Sequence, residues 1–176
     1  MLLGIQNNSR KKGFTLIELL LVIAIIAILA ATIFVALDPL TRFQDSRDSR
    51  RWSDANSILS AIKIDQIDNR GKYLDSIRAI PAASSSEVFM ISNGAVMSGC
   101  ASGNAYCDTP VTDDDNCVDL SGLVAEGYMP NLPVGPDGDG SWSASTTGFT
   151  LQKSTQGYIT IRACESEHSD EISVQR

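Results

Sequence analysis

Three groups of residues in this 176-residue chain have types and spacings that could do chemistry. The first runs from Arg10-Lys11-Lys12-Gly13-Phe14 to Glu18: three cations, then a lone carboxylate at the edge of a long apolar run. A carboxylate inside an apolar helix costs about 2–3 kcal/mol at a bilayer centre, less near the interface, and so requires a partner. The preceding cations are one choice. A cut after Gly13 supplies another, because it removes them and leaves a Phe14 amine one helical turn from Glu18, in the same subunit or on a neighbour. The second group is Cys100, Cys107, Cys117 and Cys164. An even number of cysteines in a region poor in apolar residues reads as two disulfides in an oxidising compartment. Of the three connectivities, Cys100–Cys107 with Cys117–Cys164 is the favoured expectation. Zinc is the weaker alternative, since there is no C-x-x-C pair and His168 is the only histidine. The third group is Asp137-Gly138-Asp139-Gly140, with oxygen ligands two apart and glycines permitting a sharp turn, as at the start of a calcium loop. It lacks the third acidic position and the distal glutamate of an EF-hand, which favours a plain turn over calcium at Asp137 and Asp139.

The elements that must position these groups differ sharply from one another. Averages of 43% apolar residues, 20% charged residues and net charge −7 exclude a collagen-like repeat, a disordered acidic tail and a basic nucleic-acid binder. They conceal a concentration. From Leu19 to Leu37 every side chain but Thr32 is apolar and none is charged. As a helix, Phe14 to Leu37 spans roughly 36 Å, more than the ~30 Å hydrocarbon core. It is apolar on every side, unlike the core helix of a small soluble domain. Three cations before it predict a cytoplasmic N-terminus and an exported C-terminal domain. The run is longer than a secretory signal requires, with Ala30-Ala31 inside it, which argues against cleavage there.

The stretch Lys11-Lys12-Gly13-Phe14-Thr15-Leu16-Ile17-Glu18-Leu19-Leu20 resembles the class III signal of type IV pilins and pseudopilins. The resemblance implies cleavage after Gly13 by a prepilin peptidase, N-methylation of Phe14, and a role for Glu18 in orienting an incoming subunit. It also implies storage in membrane lipid, partnership with an inner-membrane assembly platform, and polymerisation with copies of itself or other pilins. The apolar helix would be both membrane anchor and filament core. Many pilins carry a kinking proline where this chain has Val35; here the first proline after the run is Pro39.

The remaining chain divides accordingly: a leader at 1–13, a membrane and filament-core helix at 14–38, an amphipathic helix at 39–70, and a β-rich exported domain at 71–176. Trp52, Ala55, Leu59 and Ile62, with Ile58 alongside, mark the buried face of the amphipathic half, which Gly71 ends. The alternating charges from Arg42 to Arg51 read first as a solvated face, and second as contacts between subunits. Strands are predicted at Glu87–Ile91, Thr147–Lys153 and Tyr158–Ala163, with a hairpin turn at Ser154–Gly157 and a short helix within Asp119–Tyr128. Asp113-Asp114-Asp115 reads as a solvated loop. The predicted fold is α+β and pilin-like, a long helix packed on a small antiparallel sheet.

No catalytic constellation is visible, because a serine–histidine–acid site would need His168 from an acidic C-terminus expected to fray. A non-enzymatic subunit is therefore expected, with three forms: a pilus subunit, a pseudopilin of a secretion or DNA-uptake machine, or a singly anchored binding domain. The shared helix does not encode what a filament touches, DNA or a surface, because that function resides in the exported face.

Overall fold

A computed structural model describes residues 13–96 and 98–176. Arg10, Lys11, Lys12 and the rest of the leader before Gly13 lie outside the described residues. The chain forms two compact units, the first ending at Pro39 and the second running from Leu40 to Arg176.

Helix α1 spans Leu16–Leu37 and helix α2 spans Pro39–Asp68. The first is built of leucine, isoleucine, valine and alanine apart from Glu18, Thr32 and Phe34, with no internal glycine or proline to disturb it. It stops at Asp38, whose backbone is left-handed at φ 36° and ψ 75°. Pro39 is the cause: it has no N–H to donate, and its ring would collide with the carbonyl four residues back, so it opens a new helix. Aspartate is among the few residues that tolerate the left-handed region. The helix is therefore interrupted at the first proline after the apolar run, not at Val35. At the far end Gly71, at φ 87°, donates its N–H to the Gln66 carbonyl at 2.7 Å and closes α2.

The second unit packs α2 on a five-stranded sheet. The strands are β1 (Phe89–Ser92), β2 (Cys117–Asp119), β3 (Phe149–Lys153), β4 (Ile159–Ala163) and β5 (Ser173–Gln175), in the order β2-β1-β3-β4-β5. Two short helices, α3 (Asp75–Ala79) and α4 (Ser121–Ala125), flank it. Alternation decides the faces: Phe149, Leu151, Ile159 and Ile161 join Ala55, Ile58, Leu59 and Ile62 in the main core. On the other face, Met90 packs with Cys100, Val111 and Cys164 in a second cluster. The Ser154–Gly157 turn joins β3 to β4 as the hairpin reading required, with Gly157 N–H on the Ser154 carbonyl at 3.0 Å.

Three expectations are corrected here. The sheet is mixed rather than antiparallel, because β1 and β2 pair in parallel, Met90 opposite Cys117. The connection across 93–116 is long enough to return the chain to the same end of the sheet, which a parallel pair requires. The C-terminus is not frayed: Ile172 is fully buried and β5 pairs with β4, Val174 opposite Ile161. The buried face of α2 passes through Arg51, 1% exposed, while Trp52 is 40% exposed.

Candidate functional site

The first unit presents its chemistry at the start of α1. Thr15 is the N-cap, and with Glu18 three positions later it forms a reciprocal capping box. Glu18 Oε2 accepts from the Thr15 backbone N–H and from its hydroxyl, each at 2.8 Å, and the Glu18 N–H donates to Thr15 Oγ1 at 3.3 Å. Within the described chain the partner of Glu18 is thus the cap itself, rather than a cation. Phe14 stands beside it, 85% exposed. Beyond this turn, no residue of α1 is buried. A helix of 22 residues, apolar all round and uncovered by its own chain, is stable where its surroundings are equally apolar: in lipid, or against other helices like it. By length and composition it is sufficient to cross a membrane.

A family model described as the prokaryotic N-terminal methylation motif matches residues 8–34, which contain Gly13, Phe14, Glu18 and most of α1. The chain carries the type IV pilin and pseudopilin signal. No curated protein and no solved structure matches the chain. The motif is that of structural subunits that a prepilin peptidase processes and that assemble with other pilins. The apolar α1 fits membrane anchoring and a filament at the cell surface.

The second unit is organised around a buried charge cluster, where the alternating charges from Arg42 to Arg51 read first as a solvated face. Arg51 Nη1 meets Asp48 Oδ1 at 2.8 Å and Glu167 Oε1 at 2.7 Å, and its Nη2 meets Glu165 Oε2 at 3.2 Å and the Pro136 carbonyl at 3.1 Å. Arg47 forms a two-pronged pair with Glu167, its Nε at 2.6 Å from Oε1 and its Nη2 on Oε2. Asp48 reaches the other way. Its Oδ2 accepts the backbone N–H groups of His168 at 2.9 Å and Ser169 at 3.0 Å and the Ser169 hydroxyl at 2.9 Å, while Oδ1 takes the Glu167 N–H at 3.1 Å. Burial by itself raises the Asp48 pKa, but these N–H groups outweigh it and bring the carboxyl to about 2. Hydrogen bonds from Arg47, followed by those from Arg51, hold Glu167 below the ordinary glutamate value against its own burial. The first half of α2 is thereby fastened to the segment between β4 and β5. Arg42 and Arg50 remain exposed.

The disulfides are Cys100–Cys117 and Cys107–Cys164, not the expected Cys100–Cys107 and Cys117–Cys164. The backbone explains the exchange. Cys100 N–H donates to the Asp114 carbonyl at 3.0 Å, which lays residue 100 beside the entry to β2, where Cys117 begins the strand. Asp108 N–H donates to the Cys164 carbonyl at 2.7 Å, so Cys107 faces the end of β4. Asp114 accepts from Gly99 N–H at 2.9 Å within an exposed loop, as read for 113–115.

Asp137 and Asp139 lie in the loop beside the charge cluster. Asp137 Oδ1 accepts the Trp142 N–H at 3.0 Å, and the Asp139 N–H donates to Glu165 Oε1 at 2.6 Å. Among the described residues, no group of three or more acidic, histidine or cysteine side chains is arranged to hold a metal ion. The cation nearest this loop is Arg51, which pairs with Glu165 at 3.2 Å and donates to the Pro136 carbonyl at 3.1 Å. A β-carbon at Gly138 would overlap the Glu165 carboxylate, so any larger residue there would displace that carboxylate from Arg51 and the Asp139 N–H.

Proposed function

We propose that this protein is a structural subunit of a type IV pilus or pilus-like filament. In this reading the peptidase cuts between Gly13 and Phe14, the new Phe14 amine is methylated, and the cations Arg10, Lys11 and Lys12, which held that end in the cytoplasm, leave with the leader. The mature chain waits in the membrane with its second unit outside the cytoplasm, then exchanges lipid for copies of its own helix. The observation that carries this is the methylation motif running into a helix with no buried residue.

Glu18 contributes register. Its Oε2 is held by Thr15, and Oε1 faces no partner among the described residues, so a neighbour's Phe14 amine can complete the shell. A water-free helix bundle would penalise any alignment that left the charge uncompensated. Mass spectrometry of the mature protein should find methylated Phe14 at the N-terminus. Glu18→Ala should be cleaved normally and fail to assemble, and an unprocessed N-terminus or normal filaments from that variant would refute the reading. Electron microscopy with an antibody to the exported unit distinguishes long surface filaments from the short structure of a pseudopilin.

A further inference from the structure

The C-terminal end of α2 is more negative than a helix end should be. Asp65 and Asp68 occupy its last turn with no basic residue there, where the helix dipole already places negative charge. Glu126 joins them in lining a cavity of about 460 Å³. Asp65 is 1% exposed; its Oδ1 accepts from Asn69 Nδ2 at 2.8 Å, but its Oδ2 is buried with no hydrogen-bond partner. A buried carboxylate oxygen without a donor is costly, and a cationic donor would meet both its open hydrogen bond and its charge. Three cations also line the cavity. Arg78 is engaged with Asp75 at 2.9 Å, while Arg70 and Lys72 are exposed and, among the described residues, form no ion pair with Asp65. Asp65, Asp68 and Glu126 set against Arg70 and Lys72 leave one negative charge to be met. Partial burial, then the charges of Asp68, Glu126 and Asp65, push the Tyr128 hydroxyl above its ordinary value, which places the same negative field at that residue.

The complementary charge is on the same helix. Near its start α2 carries Arg42, Arg47, Arg50 and Arg51 against Asp45 and Asp48, and near its end Lys63 against Asp65 and Asp68. Arg47 and Arg51 are consumed by the internal cluster, and Arg50 is 3.6 Å from Asp54. Arg42 is exposed, and among the described residues it has no ion pair.

We propose that the cavity at Asp65, Asp68 and Glu126 seats the Arg42 guanidinium of a second copy of this chain. The inference rests on the filament reading and deepens it by naming a contact between exported units. The two ends are 23 residues apart on one helix, so the contact joins copies displaced by roughly 35 Å along α2. It is head-to-tail: each copy offers one arginine and one cavity, and such a contact propagates into a filament instead of closing a dimer.

The test is charge reversal with rescue, in cells that make the full chain with its peptidase and assembly machinery. Arg42→Glu and Asp68→Arg should each lower the yield of filaments about tenfold or more, since each brings like charges together. The double variant restores the pair in opposite sense and should recover most of the yield. Asp65→Asn keeps the shape of a buried residue and removes its charge, so its filaments should dissociate at a lower salt concentration than the wild type. Unimpaired filaments from Arg42→Glu, or a double variant as defective as either single one while its disulfides form normally, would overturn the contact and leave the filament reading standing. Absence of wild-type filaments would overturn both.

Discussion

Replacing Asp48 with asparagine removes one negative charge from the cluster while preserving the side chain's shape. Its carboxyl falls from an ordinary 3.8 to about 2 in the folded chain. That difference of nearly two units corresponds to about 2 kcal/mol of stability at neutral pH. Asp48 is 5% exposed, so screening by solvent removes little of this. The amide also turns an N–H₂ group toward backbone donors or toward Arg51, and either orientation leaves a buried donor unsatisfied. We expect Asp48→Asn to lower the unfolding midpoint of the full chain in detergent by about 5–10 °C at pH 7. The loss should also be local: amide exchange in 167–169 and β5 should accelerate before the rest of the sheet.

The pH dependence gives the sharper test. A carboxyl whose pKa is depressed by folding contributes fully above its unfolded value, near 3.8, and the contribution is lost as pH falls through about 2. The difference between wild type and Asp48→Asn should therefore be constant from pH 7 to about 5, shrink below about 4, and nearly disappear by about 2. Glu167 is depressed in the same direction, so acid also weakens the wild-type cluster from its other side. A difference that persisted unchanged to pH 2, or one below about 0.5 kcal/mol at pH 7, would refute the assignment of Asp48 as the clasp on the C-terminal segment.

Peptide mapping without reduction should recover Cys100 linked to Cys117 and Cys107 linked to Cys164. Removing the second bridge, which spans 57 residues, should cost more than removing the first, which spans 17, at about 4 against about 3 kcal/mol. Gly138→Ala should destabilise the second unit by about 1–3 kcal/mol, measured by denaturant unfolding, because its β-carbon displaces the Glu165 carboxylate from Arg51. Millimolar calcium should leave the unfolding midpoint unchanged, since Arg51 already supplies the cation facing Glu165; a calcium-dependent rise of more than about 2 °C would restore Asp137 and Asp139 as ligands.

For the first unit the sequence by itself was nearly sufficient. Membrane anchoring and helix assembly respond to length, uniform apolarity and a local pattern from Gly13 to Glu18, all of which are properties of consecutive residues. The Thr15–Glu18 cap spans three positions and the break at Asp38 follows from the next residue being proline, so both are decided locally. The same holds for the β3–β4 hairpin, whose alternation and turn are contiguous. The second unit depended on distance. Arg51 looks like a solvated charge until Glu165 and Glu167 arrive from more than a hundred residues away, and only then does it belong on the buried face of α2. The favoured disulfide pairing took Cys100 and Cys107 as partners because they are close along the chain, whereas β2 and β4 had already placed Cys117 and Cys164 beside their actual partners. Parallel pairing of β2 and the docking of β5 likewise have no local pattern. Each is settled by which strand edge remains open once the core has formed, and that is a property of the assembled sheet.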